Sequence, residues 1–369
     1  MRARLIFLLN SLLAISVSAL EASSFRIFGY LPEWRYEAVN WDVVSRHVSH
    51  IILFSLEMTS SGKITARDRF PRKELMGEAT TAARRHGSKI LLCFGGNGRS
   101  AGFSGMVSSR KSRKKFISSL MGYIVKYSLD GVDYNWEYPG YSFSSGYSDT
   151  DVVDKDYQGL LSLLKETRAV FDEYSKDATS GRRLEITLAY YPDGRQENLF
   201  KTLNAHKYAD FMHMMTYDQH GAQHSSYAFA EKSVDQGIEI GLPAAKLTLG
   251  VPFYGRDGRG EWTTYEDILH KHSPLKPGVD IVNNIGFNSV ETIVKKSIMA
   301  LEKGIGGLMI WEIGQDCRLK PVPREDTTHQ RTCQKDSDSL LVAITKSLEK
   351  SKRIKRYRAE DWVNSHTEL

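Results

Sequence analysis

Residues 130–139 of the chain read Asp130-Gly131-Val132-Asp133-Tyr134-Asn135-Trp136-Glu137-Tyr138-Pro139. Side chains alternate along a β-strand, so Asp133, Asn135 and Glu137 are expected to point to the same face, roughly 6.5 Å apart at about 3.3 Å per residue. A buried row of acids is costly unless a proton is shared or one group stays neutral. We therefore predict that this row serves chemistry and holds Glu137 protonated, as a general acid must be.

Eight short apolar runs, one of them within the segment 130–139, alternate with amphipathic segments along the chain. The eight runs are Phe25–Tyr30, Val48–Phe54, Lys89–Phe94, Gly131–Trp136, Leu184–Tyr191, Ala209–Tyr217, Lys246–Phe253 and Gly306–Trp311. Apolar strands that alternate with helices indicate a parallel sheet covered on both faces. Eight such units predict the α/β class and a single closed (β/α)₈ barrel, or TIM barrel. An open doubly wound sheet is the alternative, but it normally carries a glycine-rich turn after its first strand, where this chain has Leu31-Pro32-Glu33-Trp34.

The segments between the runs have a helical period. Phe116, Leu120 and Ile124 fall on one face, and a final helix is predicted around Leu340–Leu348. Before the last strand, Asn288 and Glu291 resemble a capping box that starts a helix, which Gly304 ends.

The chain has 369 residues, a length that fits one large α/β barrel or two average domains, and a modest formal net charge of +6. A nucleic-acid partner is not expected, because the basic runs at 110–115 and 350–358 are short, far apart and typical of solvated helix faces. An anionic surface partner is the alternative for these runs.

The N-terminus has the pattern of a secretory signal peptide. Arg2 and Arg4 precede the apolar stretch 5–17, and small residues follow at 17–19. We predict a signal peptide over 1–19, a barrel over 20–350, a charged tail over 351–369 and a secreted protein without a membrane span after cleavage. A retained anchor is the alternative, although the stretch is short for a span.

The three cysteines are too few to build the fold. Cys317 and Cys333 lie in one polar loop and could pair, whereas Cys93 lies in an apolar run and is predicted to be a buried thiol. No cluster of cysteine and histidine has the spacing of a metal site, and neither a metal nor a cofactor is expected.

Active sites of such barrels lie at the carboxyl ends of the strands, and aromatic and acidic residues follow several of these predicted ends. Examples are Trp34, Glu137, Tyr217 with Asp218, and Trp311. Aromatic rings with a few acids suit a sugar, whose apolar face stacks on rings while its hydroxyls form hydrogen bonds.

The segment 130–137 resembles the Asp-x-x-Asp-x-Asp-x-Glu motif of family 18 glycoside hydrolases, the chitinases and chitinase-like proteins. Residues 28–34, 215–218, 250–256 and 306–311 are similar to the family's motifs on strands one, six, seven and eight. The resemblance therefore extends over nearly the whole predicted mature chain and supports the barrel.

The resemblance implies a retaining, substrate-assisted mechanism. Glu137 would protonate the glycosidic oxygen, and the N-acetyl carbonyl of the substrate would attack the anomeric carbon and form an oxazolinium ion. Asp133, Asn135 and Tyr217 would complete the catalytic set. The implied substrate-binding residues are Asp218, Trp311, Tyr254, Arg256, Tyr138, Trp34 and Tyr30.

The chain departs from the family pattern at three places. Asn135 replaces the third Asp of the motif and carries no charge. The charge interaction that is lost is on the order of 2–3 kcal/mol. We expect an enzyme that is active, slowed roughly 10- to 100-fold, and has a lower pH optimum. Asn97 stands where many relatives have a Trp, so one stacking platform is expected to be missing. Residues 257–303 are too few for the α+β subdomain inserted in many relatives, which predicts an open cleft.

The implied activity is hydrolysis of β-1,4-linked N-acetylglucosamine polymers, that is, chitin or chitooligosaccharides, by a monomer. A lectin that binds such glycans without cutting them is the alternative from another class, and the presence of Glu137 argues against it. Endo-N-acetylglucosaminidase action on N-glycans or peptidoglycan is a further alternative that the sequence leaves open.

Overall fold

A computed structural model of the chain describes residues 25–176, 182–221, 223–276, 278–319 and 332–351. The predicted signal peptide and the predicted tail from residue 352 onwards lie outside these ranges. Within them, no helix combines the length and the apolar character that a membrane span requires.

Eight parallel strands form the centre of the molecule. In chain order, β1 to β8 are Arg26–Pro32, His50–Met58, Lys89–Gly95, Gly131–Asn135, Glu185–Tyr190, Phe211–Met214, Leu247–Pro252 and Gly307–Trp311. The first strand pairs with both the second and the eighth, so the sheet closes into a barrel. Each predicted apolar run overlaps one of these strands, and the predicted (β/α)₈ fold is confirmed.

Ten α-helices accompany the strands within the described residues. In chain order, α1 to α10 are Trp41–His47, Lys73–His86, Phe103–Val107, Arg110–Tyr127, Thr150–Lys176, Arg195–Thr202, Tyr227–Glu239, Tyr265–His272, Val290–Glu302 and 340–351. The predicted faces are buried, with Phe116, Leu120 and Ile124 of α4 fully enclosed.

Alternation along the strands separates two apolar cores. Ile27 and Leu31 of β1 belong to the large core that includes the helix residues, whereas Phe28 and Tyr30 belong to a smaller cluster inside the barrel. The inner side chains of each strand therefore fill the barrel and carry the site at its mouth.

The start of α9 differs from the prediction by one residue. Ser289, rather than Asn288, is the N-cap, and its hydroxyl accepts a hydrogen bond from the backbone N–H of Thr292. Asn288 instead donates its amide to the backbone oxygen of Ser225 at 2.8 Å, which links α9 to the segment after β6.

The connection from β7 to β8 holds more structure than the sequence indicated. It contains a four-stranded antiparallel sheet formed by Tyr254–Asp257, Trp262–Thr264, Ile281–Val282 and Ile285–Gly286, together with α8 of eight residues. The segment is too short for a large subdomain, but the hydrogen-bonded strands order it and bring Trp262 to the barrel mouth.

The structure shows the state of all three cysteines. Cys317 and Cys333, which could pair, are joined in a disulfide. Cys93 is a buried thiol on β3, as predicted.

Candidate active site

A cleft of about 920 Å³ lies at the carboxyl ends of the barrel strands. Nine of the eleven predicted site residues line it, and the other two, Asp133 and Tyr254, lie behind its walls. The nine are Glu137, Asn135, Tyr217, Asp218, Trp311, Arg256, Tyr138, Trp34 and Tyr30. The fold therefore brings together residues that lie far apart in the sequence.

Glu137 follows the end of β4 and is the predicted general acid. Its backbone N–H donates to the hydroxyl of Ser100 at 3.1 Å, which fixes this end of the strand. Burial, together with the smaller effect of the negative charge of Asp218, raises the pKa of the Glu137 carboxyl to about 7, even though hydrogen bonds from Asn135 and the backbone of Asn97 oppose the rise. A large fraction of Glu137 is therefore protonated near neutral pH.

Asn135 lies two residues before Glu137 and is 3% exposed. Its side chain forms a hydrogen bond with the Glu137 carboxyl, which lowers the pKa of Glu137, in the direction that the sequence argument expected for an uncharged neighbour. Burial outweighs this effect, so burial and not a row of like charges is the main reason for the raised pKa. The Asn135 side-chain oxygen has no hydrogen-bond partner among the described residues.

Asp133 lies deeper in the barrel and is fully buried. Its carboxylate accepts hydrogen bonds from the Thr187 hydroxyl at 2.6 Å and the Tyr30 hydroxyl at 2.8 Å. Burial raises the pKa of Asp133, although these bonds oppose the rise. His213 is 3.9 Å away, but burial lowers its pKa to about 3, so it is neutral and offers no compensating charge. Asp133 therefore lies beneath the cleft and contributes to the site through its hydrogen bonds with Tyr30 and Thr187.

Tyr217 and Asp218 follow β6. Tyr217 is 5% exposed, and among the described residues its hydroxyl makes only a weak contact, 3.6 Å from the sulfur of Met309. Burial raises the pKa of Tyr217 well above its usual value, so the hydroxyl keeps its proton. Asp218 adopts a positive φ of 61°, a conformation that Asp tolerates better than most residues. Both side chains line the cleft, where a protonated hydroxyl can donate to a ligand.

The structure corrects the expected position of Tyr254. We predicted that it lines the cleft, but it is 1% exposed and lies behind Asp218. Its hydroxyl donates to Asp218 at 2.6 Å, and its ring stacks on Trp262 with centroids 4.5 Å apart. Arg256 does line the cleft and donates to the same Asp218 oxygen at 3.1 Å. The sequence alone did not give this position, because the direction of the Tyr254 side chain on the short antiparallel sheet depends on its packing with Trp262.

Trp311 ends β8 and forms an aromatic wall with residues of β1 and β2. Its ring centroid lies 4.7 Å from that of Phe54 and 5.5 Å from that of Tyr30. Trp34 is 54% exposed at the outer end of this wall. Arg99 lies over the rings of Phe54 and Trp34, at 5.1 and 5.5 Å.

Sequence reasoning missed several residues of the cleft. Besides Phe54 and Arg99, they include Tyr141, Phe143, Tyr147, Asp193, Gln196 and Trp262. The aromatic density of 138–147, directly after the acid, was the available signal. Glu312, the acid that directly follows Trp311 at the end of β8, lies outside the cleft and pairs with Arg35 at 3.0 Å.

The described residues contain no group of three or more histidine, cysteine, aspartate or glutamate side chains arranged to hold a metal ion. The chemistry available from these side chains is proton donation by Glu137, hydrogen bonding by the neighbouring polar groups and stacking on aromatic rings. Such a set suits the cleavage of a sugar bond.

Comparison with known proteins agrees with this geometry. The model of "Glycosyl hydrolases family 18" matches residues 26–316. "Probable chitinase 2" of Drosophila melanogaster is 24% identical over 66% of this chain and 59% of its own length. "Chitotriosidase-1" of Mus musculus is 25% identical over 84% of this chain and 78% of its own length.

The barrel is also similar to a solved structure of the Ostrinia furnacalis Group II chitinase, catalytic domain 2. The TM-score is 0.70 at 21% identity, covering 88% of this chain and 96% of that one. With the family model matched over most of the barrel, the chain belongs to family 18 of the glycosyl hydrolases.

Proposed function

We propose that the chain hydrolyses β-1,4-linked N-acetylglucosamine polymers, such as chitin or chitooligosaccharides, with retention of configuration. The observation that carries the proposal is the Glu137 carboxyl, which lies in an aromatic cleft with its pKa raised to about 7. A carboxyl that keeps its proton near neutral pH can serve as a general acid. The family membership supports glycosidic bonds as the target.

In the proposed mechanism, Glu137 donates its proton to the glycosidic oxygen as the bond to the anomeric carbon breaks. The N-acetyl carbonyl oxygen of the same sugar attacks that carbon from the opposite side and forms an oxazolinium ion. Glu137, now a carboxylate, removes a proton from the incoming water. The water attacks the anomeric carbon, opens the oxazolinium ring and restores the acetamido group. Because the configuration at this carbon is inverted twice, it is retained overall.

The neighbouring side chains have proposed roles in holding the acetamido group. Tyr217 would donate its hydroxyl to the carbonyl oxygen, because within the described part of the chain that hydroxyl makes no stronger contact than the one with the Met309 sulfur. Asn135 would accept the acetamido N–H through its side-chain oxygen, which lacks a partner among the described residues. Trp311 would stack under the reacting sugar.

Asn135 places a dipole, rather than a charge, next to the developing positive charge. The unpaired oxygen of Asn135 supports the view that orientation of the acetamido group is retained. The stabilising negative charge of the Asp is absent. We therefore propose an active enzyme that is slower than its Asn135→Asp variant by roughly 10- to 100-fold.

Two other functions make different predictions. A lectin would bind chitooligosaccharides without producing fragments, which leaves the raised pKa of Glu137 without a role. An endo-N-acetylglucosaminidase would release N-glycans or cut peptidoglycan in preference to chitin. We further propose export of the protein by the leader at 1–19 and action as a monomer.

The test is hydrolysis of a fluorogenic chitobioside and chitotrioside between pH 4 and 9 by wild type, Glu137→Gln and Asn135→Asp. We expect wild type to exceed Glu137→Gln at least roughly 1,000-fold, and Asn135→Asp to exceed wild type and to move the alkaline limb upward. Wild-type activity equal to that of Glu137→Gln would reject the enzyme. Binding and products with chitooligosaccharides, an N-glycan and peptidoglycan separate the remaining functions.

A further inference from the structure

An aromatic hairpin follows the predicted acid directly. The chain turns back between Tyr141–Ser142 and Gly146–Tyr147, and the tip residue Phe143 is 56% exposed. The ring of Phe143 contacts Tyr141 at 5.4 Å and Tyr138 at 5.9 Å between centroids. All of these aromatic residues line the cleft. An exposed aromatic surface that is continuous with a sugar-binding cleft is suited to stacking on a sugar ring.

The hairpin is fixed at its base by hydrogen bonds. The backbone N–H of Ser148 donates to the oxygen of Gly140 at 2.8 Å, and the N–H of Gly140 donates to Asp156 at 2.9 Å. Because the base is fixed, the rings are held in place before a ligand arrives, which reduces the entropy lost on binding.

The outer strand of the hairpin is joined to the start of α6. The Tyr147 hydroxyl donates to Asp193 at 2.7 Å, and the guanidinium of Arg195 lies 4.0 Å from the Tyr147 ring centroid. Gln196, 1% exposed, forms a hydrogen bond with the Tyr147 hydroxyl, while its side-chain oxygen has no partner among the described residues. Asp193 and Gln196 line the cleft beside the rings and can contribute polar contacts to a sugar.

The order of strands in the barrel decides which half of the substrate this surface meets. β4 and β5, which precede the hairpin and α6, lie across the barrel from β8 and β1, which carry Trp311 and Tyr30. With the reacting sugar on Trp311, the oxygen that Glu137 protonates lies on the side of β4. The sugars beyond that oxygen therefore extend toward the hairpin. Asn97, which follows β3, brings no ring to this half.

We propose that the hairpin 141–147, together with Tyr138, Asp193 and Gln196, is the binding platform for the leaving-group sugars, with Phe143 as its outer stacking residue. This inference rests on the proposed hydrolysis of N-acetylglucosamine polymers and identifies the residues that select substrate length. The platform replaces the stacking residue that the chain lacks at Asn97.

The experiment compares wild type and Phe143→Ala on chitohexaose and on an aryl chitobioside, whose leaving group is a single ring. We expect kcat/KM for chitohexaose to fall roughly 5- to 10-fold and that for the aryl chitobioside to fall less than about 2-fold. The sites of cleavage in chitohexaose, read from its products, should shift as well. Tyr227→Ala, a partly exposed aromatic on α7 that does not line the cleft, is the control and should change neither value.

Equal losses on both substrates, or no loss on chitohexaose, would overturn the inference. A second measurement uses the Glu137→Gln background, in which Phe143→Ala should weaken chitohexaose binding by a similar factor. A wild type that cleaves the aryl chitobioside while Phe143→Ala leaves chitohexaose unaffected rejects only the platform. A wild type that cleaves neither substrate rejects the proposed function and this inference with it.

Discussion

The hydroxyl of Tyr254 donates a 2.6 Å hydrogen bond to Oδ1 of Asp218, from behind the wall of the cleft. The same oxygen accepts from Arg256 at 3.1 Å, so two donors hold the carboxylate in one orientation. Asp218 in turn raises the pKa of Glu137. Two buried or half-buried residues of the β7–β8 connection thereby influence the proposed acid that follows β4.

Tyr254→Phe removes this bond and keeps the ring that stacks on Trp262. Because the bond is made to a charged acceptor, we expect kcat/KM on a fluorogenic chitobioside to fall roughly 10-fold. Tyr265→Phe is the matched control, since its hydroxyl donates to the backbone oxygen of Asp338 at 3.0 Å away from the cleft. A Tyr254→Phe enzyme that is as active as the control would contradict the proposed orienting role.

Asp218→Asn tests the electrostatic coupling to Glu137. The negative charge of Asp218 raises the pKa of Glu137, so its removal should lower that pKa and move the alkaline limb of the kcat/KM profile to lower pH. Asp257→Asn is the control: Asp257 lies on the small antiparallel sheet that carries Arg256 but pairs with Arg259, so this change should leave the limb in place. An alkaline limb that stays unchanged, or moves upward, in Asp218→Asn would show that the coupling is absent.

Glu137→Gln should change the pH dependence of stability. Burial raises the pKa of Glu137 from 4.5 to about 7, so folding favours the neutral carboxyl, and the stability this confers is full below pH 4.5 and lost as pH rises through 7. Gln does not ionise and avoids the loss. We expect the free energy of unfolding of the variant, relative to wild type, to increase by on the order of 3 kcal/mol between about pH 5 and pH 8.

Thermal and denaturant unfolding at the two pH values measure this difference. The exposed Glu239→Gln on α7 is the control and should follow wild type at both pH values. If Glu137→Gln also follows wild type, Glu137 does not have a raised pKa in the folded protein.

Lys296→Met tests a buried amine that anchors the segment after β6. The Lys296 amine donates to the backbone oxygen and hydroxyl of Ser225, each at 2.8 Å, and to Asn288 at 2.7 Å. The Ser225 hydroxyl donates to the oxygen of Thr216, next to Tyr217. Loss of these bonds leaves a buried acceptor unpaired, so we expect the free energy of unfolding to fall by about 1–3 kcal/mol.

Chemical denaturation measures the effect, and the adjacent residue provides the control. Lys295 is 61% exposed and pairs at the surface with Glu291, so Lys295→Met should cost less than about 1 kcal/mol. Equal effects of the two variants would mean that the buried network adds nothing to stability.

The fold and the centre of the candidate site were accessible from sequence for a physical reason. Parallel strands that are buried on both faces appear in the sequence as continuous apolar runs. The alternation of side chains along β4 and the residues that follow it assigns Asp133, Asn135 and Glu137 to one face. The position of Glu137 at the barrel mouth follows from that pattern. The cause of its raised pKa does not, because the pKa depends mainly on burial by residues from other strands.

The walls of the cleft were less accessible. The rings of Tyr254 and Trp262 stack diagonally across a pair of short strands, and this contact is not visible in a local sequence pattern. Tyr141 and Phe143 lie on a short hairpin whose strands have two residues each, too few for periodicity to show. Contacts between separate connections are set by tertiary packing, and sequence patterns report them poorly.

The hydrogen bond between Ser148 and Gly140 closes the hairpin at its base, so the barrel ends on one side of that bond and the aromatic tip begins on the other. The hydrogen bonds at this base are made by the main chain and by Asp156, and not by the side chains of residues 141–147. If the proposed platform binds the leaving-group sugars, exchange of this short segment would alter the range of substrates and leave the hydrogen bonds at its base in place.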